Sequence, residues 1–314
     1  MAKEQSQKIL ENLKKVIIGK EEVLEKVLIA LLAKGHLLIE DVPGVGKTTL
    51  VKALSKTMDL SYKRVQFTPD LMPSDIIGVN IYDPKTGTFA FKKGPIFHQV
   101  LLADEINRTS PKTQSSLLQA MEEGEVSTED KHYVLDKPFM VLATQNPLEY
   151  QGTFPLPEAQ LDRFLMRLSL GYPEKDYERE ILRNHKTHRN LDHIEAVVNQ
   201  EEILAMQREV EDLHAHDDIL NYIVGIVGVT RSYEDLQLGA SPRAGIDLLK
   251  TARAKAYVSG RNYVIPDDVK AMVVAVLGHR LMLSPEAKIE GKKIEDVLEG
   301  VLKRVSVPVI ANDQ

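Results

Sequence analysis

Pro43-Gly44-Val45-Gly46-Lys47-Thr48-Thr49 stands between a short apolar run, His36 to Ile39, and a segment of helical periodicity from Lys47 to Met58. Closely spaced glycines let backbone N–H groups close around an anion, a lysine reaches terminal phosphates, and a threonine hydroxyl is a hard oxygen ligand for Mg2+. The following helix adds its positive end at the same place. Residues 43 to 49 are therefore the candidate cradle for ATP or ADP. A turn that merely joins strand to helix would need neither the lysine nor the threonine. One residue departs from the usual G-x-x-x-x-G-K-[ST] spacing: Asp41 occupies the first glycine position, leaving Gly44 to supply the flexibility.

The second chemical signal is Val100-Leu101-Leu102-Ala103-Asp104-Glu105, an apolar strand ending in two adjacent carboxylates. A pair of solvated acids could end a strand, but in company with a phosphate loop these two have separate tasks. Asp104, with Thr48, is the candidate Mg2+ ligand. Glu105 points elsewhere if strand neighbours alternate, and is the candidate group that polarises an attacking water.

These residues need elements to place them. Apolar residues recur at helical spacing from Glu4 to Ala33, broken at Ile18-Gly19. Short strand candidates follow at His36 to Ile39, Tyr62 to Phe67, Val100 to Ala103, Phe139 to Thr144 and Leu165 to Leu170, separated by segments long enough for helices. That alternation predicts an α/β fold, a parallel sheet between helices. Val79 to Tyr82 and Thr88 to Phe91 flank a Pro and Gly turn and read as an inserted β-hairpin, with Gly87 free to take positive φ. Beyond Pro173 helical patterns dominate: Asp176 to His185, Glu201 to Leu213, Ile219 to Arg231, Pro242 to Val258, Pro266 to Leu281, and one from near Ile294. We therefore expect an αβα nucleotide-binding core over 1–172 and a linker with a smaller all-α lid over 173–314.

Composition narrows the class. The 314 residues are 43% hydrophobic and 27% charged, enough for a normal core. Cysteine is absent, which excludes disulfides and thiolate metal sites and makes the cytoplasm the default compartment. No apolar run reaches membrane-spanning length. A formal charge of −6 gives no global field for nucleic acid or an anionic membrane. His185, His188, His193, His214 and His216 lack an acidic or thiol partner at helical ligand spacing, and Lys92-Lys93 after the hairpin read as a solvated pair.

The motifs resemble the AAA+ ATPases, and among them the MoxR family, in Asp41 to Thr48, Ala103-Asp104-Glu105-Ile106-Asn107-Arg108, Ala143-Thr144-Gln145-Asn146-Pro147, Leu156 to Phe164, and Ser241-Pro242-Arg243-Ala244. They follow the family's order across most of the chain, and the hairpin is similar to the family's helix-2 insert. The resemblance implies that Asn146 senses the γ-phosphate, that Arg163, or its rival Arg108, reaches a neighbour's nucleotide, and that Ile18 and Gly19 lie over the adenine. Arg243 also has a physical argument. Ser241 and Pro242 place it in a helix's first turn, where a cation is disfavoured by the dipole unless it meets an anion, which suits a phosphate sensor on the lid. The resemblance further implies a Mg2+-dependent ATPase working as a homo-oligomer, a hexameric ring, that remodels or matures client proteins and meets partners with von Willebrand factor A domains. Two alternatives remain open: the motor subunit of a metal chelatase, and a nucleotide-gated scaffold that hydrolyses little.

Overall fold

The computed structural model describes residues 2–42, 44–85, 87–128, 131–147, 152–172, 175–184, 191 and 194–308. Two helices lead: α1 (Ala2–Lys14) and α2 (Glu21–Leu32). The core alternates β1 (Leu37–Glu40), α3 (Lys47–Thr57), β2 (Tyr62–Gln66), α4 (Pro73–Ile77), the hairpin β3 (Gly78–Asp83) and β4 (Thr88–Lys93), then β5 (Val100–Asp104) and α5 (Pro111–Glu123). A second hairpin, β6 (Glu125–Ser127) and β7 (His132–Val134), precedes β8 (Met140–Gln145), α6 (Glu158–Leu161) and β9 (Met166–Leu168). Then come α7 (Lys175–Asn184), α8 (Gln200–Asp212), α9 (Asp217–Thr230), β10 (Leu236–Leu238), α10 (Pro242–Val258), α11 (Pro266–Leu277), β11 (Met282–Leu283), α12 (Pro285–Ile289) and α13 (Ile294–Arg304).

The main sheet runs β2-β5-β8-β1-β9, and each neighbouring pair is parallel. Its strands are short apolar runs because both faces are covered. Side chains alternate across the pleat: Leu37, Ile39, Val100, Leu102, Met140 and Leu142 enter one core, while Leu38, Leu101, Ala103, Val141 and Ala143 enter the other. The first core continues through α1, α2 and α3 into α8 to α11, so helices far apart in sequence share one apolar mass with the sheet. The second lies under α4 and α5 and takes in Phe164, the residue after Arg163.

Polar residues appear where the central strands end: Glu40, Asp104 and Gln145 are each half-buried after fully buried neighbours. All three lie at the carboxyl edge of the sheet, the edge where open α/β sheets bind ligands.

The expected strands are present with ends shifted by a residue or two, and Gly87 has φ 68° in the β3–β4 turn. α10 spans the segment expected for it, with the Ser241 hydroxyl accepting from Ala244 N at 3.3 Å. α11 stops at Leu277, four residues short of the expected end at Leu281; the chain caps there at Gly278 and then forms β11 against β10.

Candidate functional site

At the carboxyl edge a cleft of about 330 Å3 is lined by Gly44, Gly46, Lys47, Thr48, Thr49, Arg64, Gln66, Asp104, Glu105, Thr144 and Asn146. Gly44 and Gly46 have φ of 89° and 95°, and nothing lies within 4 Å of where their Cβ atoms would be, so the backbone turns back on itself around open space. Gly46 is the N-cap of α3, which aims the helix's unpaired N–H groups into the cleft. Lys47 Nζ donates to Asp41 O at 3.0 Å, within its own loop. Thr48 and Asp104 offer hard oxygens of the kind Mg2+ takes, and they share this cleft with the lysine.

Asp104 and Glu105 open into the same cleft, contrary to simple strand alternation. The reason is local: Glu105 has φ 58° and ψ 50°, left-handed geometry that ends β5 abruptly and costs a non-glycine residue on the order of 1 kcal/mol. Thr144, fully buried on the neighbouring β8, pins this turn. Its hydroxyl accepts from Glu105 N at 2.9 Å and donates to Asp104 Oδ1 at 2.6 Å. From the other side, β2 pairs in register with β5 and brings two more side chains. Arg64 Nη2 donates to Asp104 Oδ2 at 2.6 Å, and Gln66 Nε2 donates to Glu105 Oε2 at 2.7 Å. Arg64, Gln66 and Thr144 were not singled out from the sequence. Their signal was position, on the strand candidates either side of the acidic pair, to which Thr144 adds its place in the Ala143 to Pro147 motif.

Asp41 has its own role. Its carboxylate, 6% exposed, accepts from Ser169 Oγ at 2.7 Å, Leu170 N at 2.6 Å and Gly171 N at 3.0 Å. The residue in place of the usual glycine thus latches the base of the phosphate loop to the chain leaving β9.

The remaining candidates lie elsewhere. Val45 packs on the first core, and Pro43, with His185, His188 and His193, lies outside the described residues. Ile18-Gly19 meets the segment after the sheet: Gly19, φ 71°, lies so close to the Tyr177 ring that a Cβ would come within 2.4 Å of it, and Lys20 Nζ donates to Tyr172 O at 2.9 Å. Arg108 Nη1 pairs with Glu105 Oε2 of its own chain at 2.9 Å. Arg163 and Arg243 meet at a single carboxylate away from the cleft lining: Glu122 Oε2 is 3.4 Å from Arg163 Nη2, and Glu122 Oε1 is 2.8 Å from Arg243 Nη1. The hydrogen bond from Arg243 holds the Glu122 carboxyl below the usual range, partial burial opposes this, and the Arg163 charge adds to it.

A phosphate loop at the end of β1, an acidic pair at the end of the adjacent-but-one β5, and helices covering both faces define a P-loop nucleoside triphosphatase. Residues 36–166 match the model of the ATPase family associated with various cellular activities (AAA), and residues 229–301 match that of the AAA lid domain. The chain is 50% identical to YeaC of Bacillus subtilis, whose function is uncharacterized, over 96% of this chain and 94% of that one. It is 40% identical to Chaperone MoxR1 of Mycobacterium tuberculosis over 95% of this chain and 81% of that one, and 31% identical to Protein MoxR of Methylorubrum extorquens over 94% and 92%. A crystal structure of a Cytophaga hutchinsonii protein described as a candidate ATPase superposes with a TM-score of 0.92 at 39% identity, covering 98% of this chain and 96% of that one. The chain belongs to the MoxR family of AAA ATPases. Among the described residues, no helix is long and apolar enough to cross a membrane.

Proposed function

We propose that this ATPase is Mg2+-dependent and works as a homo-oligomeric ring, coupling hydrolysis to the remodelling or maturation of client proteins. The observation that carries the reading is the single cleft shared by Lys47, Thr48, Asp104, Glu105 and Asn146. Backbone N–H groups of residues 44–48 and Lys47 hold the phosphates, and Asn146 orients the γ-phosphate. Glu105 polarises the water that attacks it. Mg2+ held by Thr48 and Asp104 would neutralise charge on the β- and γ-phosphates. Arg64 leans on the same Asp104 carboxylate, so its guanidinium yields when the site fills. Ile18 and Gly19, with Tyr177 behind them, face the adenine.

Arg163 and Arg243 complete the site in trans. Neither lines the cleft of its own chain, and Glu122 keeps them side by side about 40% or less exposed, ready for an anion from outside. Arg108 is already engaged with its own Glu105, which favours Arg163 as the finger. The core over 1–172 carries the site, the lid over 173–314 carries Arg243, and hydrolysis moves the lid and the hairpin against a client protein. The hairpin, with Phe89 70% and Tyr82 52% exposed, is the surface offered to clients or to von Willebrand factor A domain partners.

A second reading, a nucleotide-gated scaffold with little hydrolysis, is favoured by one observation: Glu105 is tied to Gln66 and Arg108. Phosphate release measured against protein concentration separates the two. The motor reading expects specific activity that climbs with concentration and collapses in Glu105→Gln and Arg163→Ala, with ATP binding intact in Glu105→Gln. A native chain that binds ATP but releases no phosphate above the Glu105→Gln background at any concentration sinks the motor and leaves the scaffold.

A further inference from the structure

Behind the two arginines lies a buried ionic knot that hydrolysis itself does not require. Arg280, in the turn after α11, has a side chain 2% exposed. Its Nη2 lies 2.6 Å from Asp247 Oδ2, 2.9 Å from Phe164 O and 3.2 Å from Asp162 O. Its Nε is 2.9 Å from Asp162 Oδ1, at ion-pair distance though out of line for a hydrogen bond. Asp162 and Phe164 flank Arg163 in the chain. Asp247 lies one turn beyond Arg243 on α10. Asp162 also accepts from the hydroxyl of Ser241, the N-cap of that helix, at 3.2 Å. One guanidinium therefore touches both neighbours of Arg163 and the helix that carries Arg243 in its first turn.

Stability is a weak reason for such a knot. Desolvating a guanidinium and two carboxylates costs several kcal/mol, and well-packed apolar side chains of similar volume often do as well or better. Of the guanidinium fork only Nη2 hydrogen-bonds among the described residues, but it does so to both sides at once, and a charged donor shared in this way ties two separate elements to one point as apolar packing does not. Arg163 comes from the core and Arg243 from the lid, yet both must present their charge to one small target. A misplacement of about 1 Å in such a constellation can cost 10²-fold in rate.

We propose that Arg280 is a positioning residue: with Asp162 and Asp247 it locks the finger segment to the lid helix, so that Arg163 and Arg243 are delivered to a neighbouring subunit's nucleotide as one unit. The proposal rests on the reading that those two arginines act in trans. Its test is complementation in co-expressed mixed assemblies. Arg280→Met keeps volume and removes the fork. Alone, it is expected to lower kcat by about 10- to 100-fold at saturating Mg-ATP, while its affinity for a fluorescent ADP analogue stays within about twofold of native, since its own cleft is intact.

Mixed with Glu105→Gln chains, Arg280→Met regains activity beyond the sum of the two alone, because the Glu105→Gln neighbour supplies correctly held arginines to an intact cleft. Arg163→Ala mixed with Glu105→Gln is the reference. If that reference recovers and the Arg280→Met mixture does not, Arg280 serves its own subunit and the proposal is overturned. If neither recovers, the trans reading itself fails and takes this one with it. Should Arg280→Met not fold, Asp247→Asn cuts only the lid side of the knot and carries the same mixing test with the same outcomes.

Discussion

The carboxyl edge of the sheet and the corner around Glu122 both concentrate charge, but they are built in opposite ways. At the edge, Asp104, Arg64, Gln66 and Thr144 come from adjacent strands and Glu105 from the left-handed turn that ends β5, so pairing register and that one turn set who meets whom. At the corner, Glu122 lies in the last turn of α5, Arg163 follows α6, Arg243 lies in the first turn of α10 and Arg280 follows α11, so only tertiary packing brings them together. The edge is a closed circuit in which most charges already have partners at the edge itself. The corner points two cations outward over one half-exposed acid. A site that performs a reaction on what it holds needs the first construction, and a device that acts on a neighbour needs the second.

That contrast is broken most sharply by rate. Arg163→Ala is expected to lower phosphate release by about 10³-fold or more at protein concentrations where the native chain is assembled, and to be indistinguishable from native at dilutions where it is not. Glu105→Gln should lose roughly 10²- to 10⁴-fold relative to native wherever native activity is measurable. Steady-state phosphate release across a dilution series gives both curves. If Arg163→Ala also falls below native in the dilute limit, the corner serves its own cleft and the two regions are one site.

A smaller effect sharpens the account of the edge. Asp41→Gly would restore the usual phosphate-loop glycine, but it strands three donors, Ser169 Oγ, Leu170 N and Gly171 N, that now share one buried carboxylate. Each unmade hydrogen bond costs about 1 to 3 kcal/mol, reduced where water enters, so a loss of roughly 2 to 4 kcal/mol in urea unfolding is expected, with weaker nucleotide binding. A variant of native stability that binds ATP more tightly would show that Asp41 is a substitute for glycine rather than a latch.

The same contrast explains what could be read from the residues alone. The strands β1, β5 and β8 are short apolar runs between polar ends, and the motif residues at their tips follow once the strands are placed, as with Lys47 after β1 and Asp104 at the end of β5. Gln66, and the role of Thr144 within its motif, were hidden because their significance is the register of a neighbouring strand, which pattern does not carry. Glu122 was hidden more deeply. It is followed by Glu123 near the end of an ordinary helix, and only the arrival of two arginines from distant segments distinguishes it. The β6–β7 hairpin escaped for a simpler reason: its three-residue strands, with Glu125 and Ser127 around a single buried valine, are too short to show alternation. Glu105 misled because a left-handed residue ends the pleat just where alternation would have been extrapolated.

The smallest expected effect is of pH, and it too separates the regions. Among the described residues, the two histidines held neutral by burial lie behind the corner. His36 Nε2 donates to the carbonyl of Met121, next to Glu122, and burial pulls its pKa down to about 4 against the carbonyl's opposing pull, with the Arg243 charge adding to the fall. His279 Nε2 donates to Phe164 O, next to Arg163, and burial followed by the Arg280 charge pulls its pKa down to about 3. In both, the folded pKa lies below the value near 6.5 of the unfolded chain. The unfolded state therefore takes up the proton first as pH falls. The stabilisation is complete above pH 6.5 and is lost on acidification toward the folded pKa, at up to about 1.4 kcal/mol per pH unit for each histidine. Between pH 7 and 6 the loss should be somewhat under about 1 kcal/mol apiece, enough to lower the urea midpoint measurably. Substituting His36 or His279 with glutamine, which keeps a donor for the carbonyl and does not titrate, should flatten that slope by one proton each. An unchanged slope in both variants would mean that the acid sensitivity arises outside the corner.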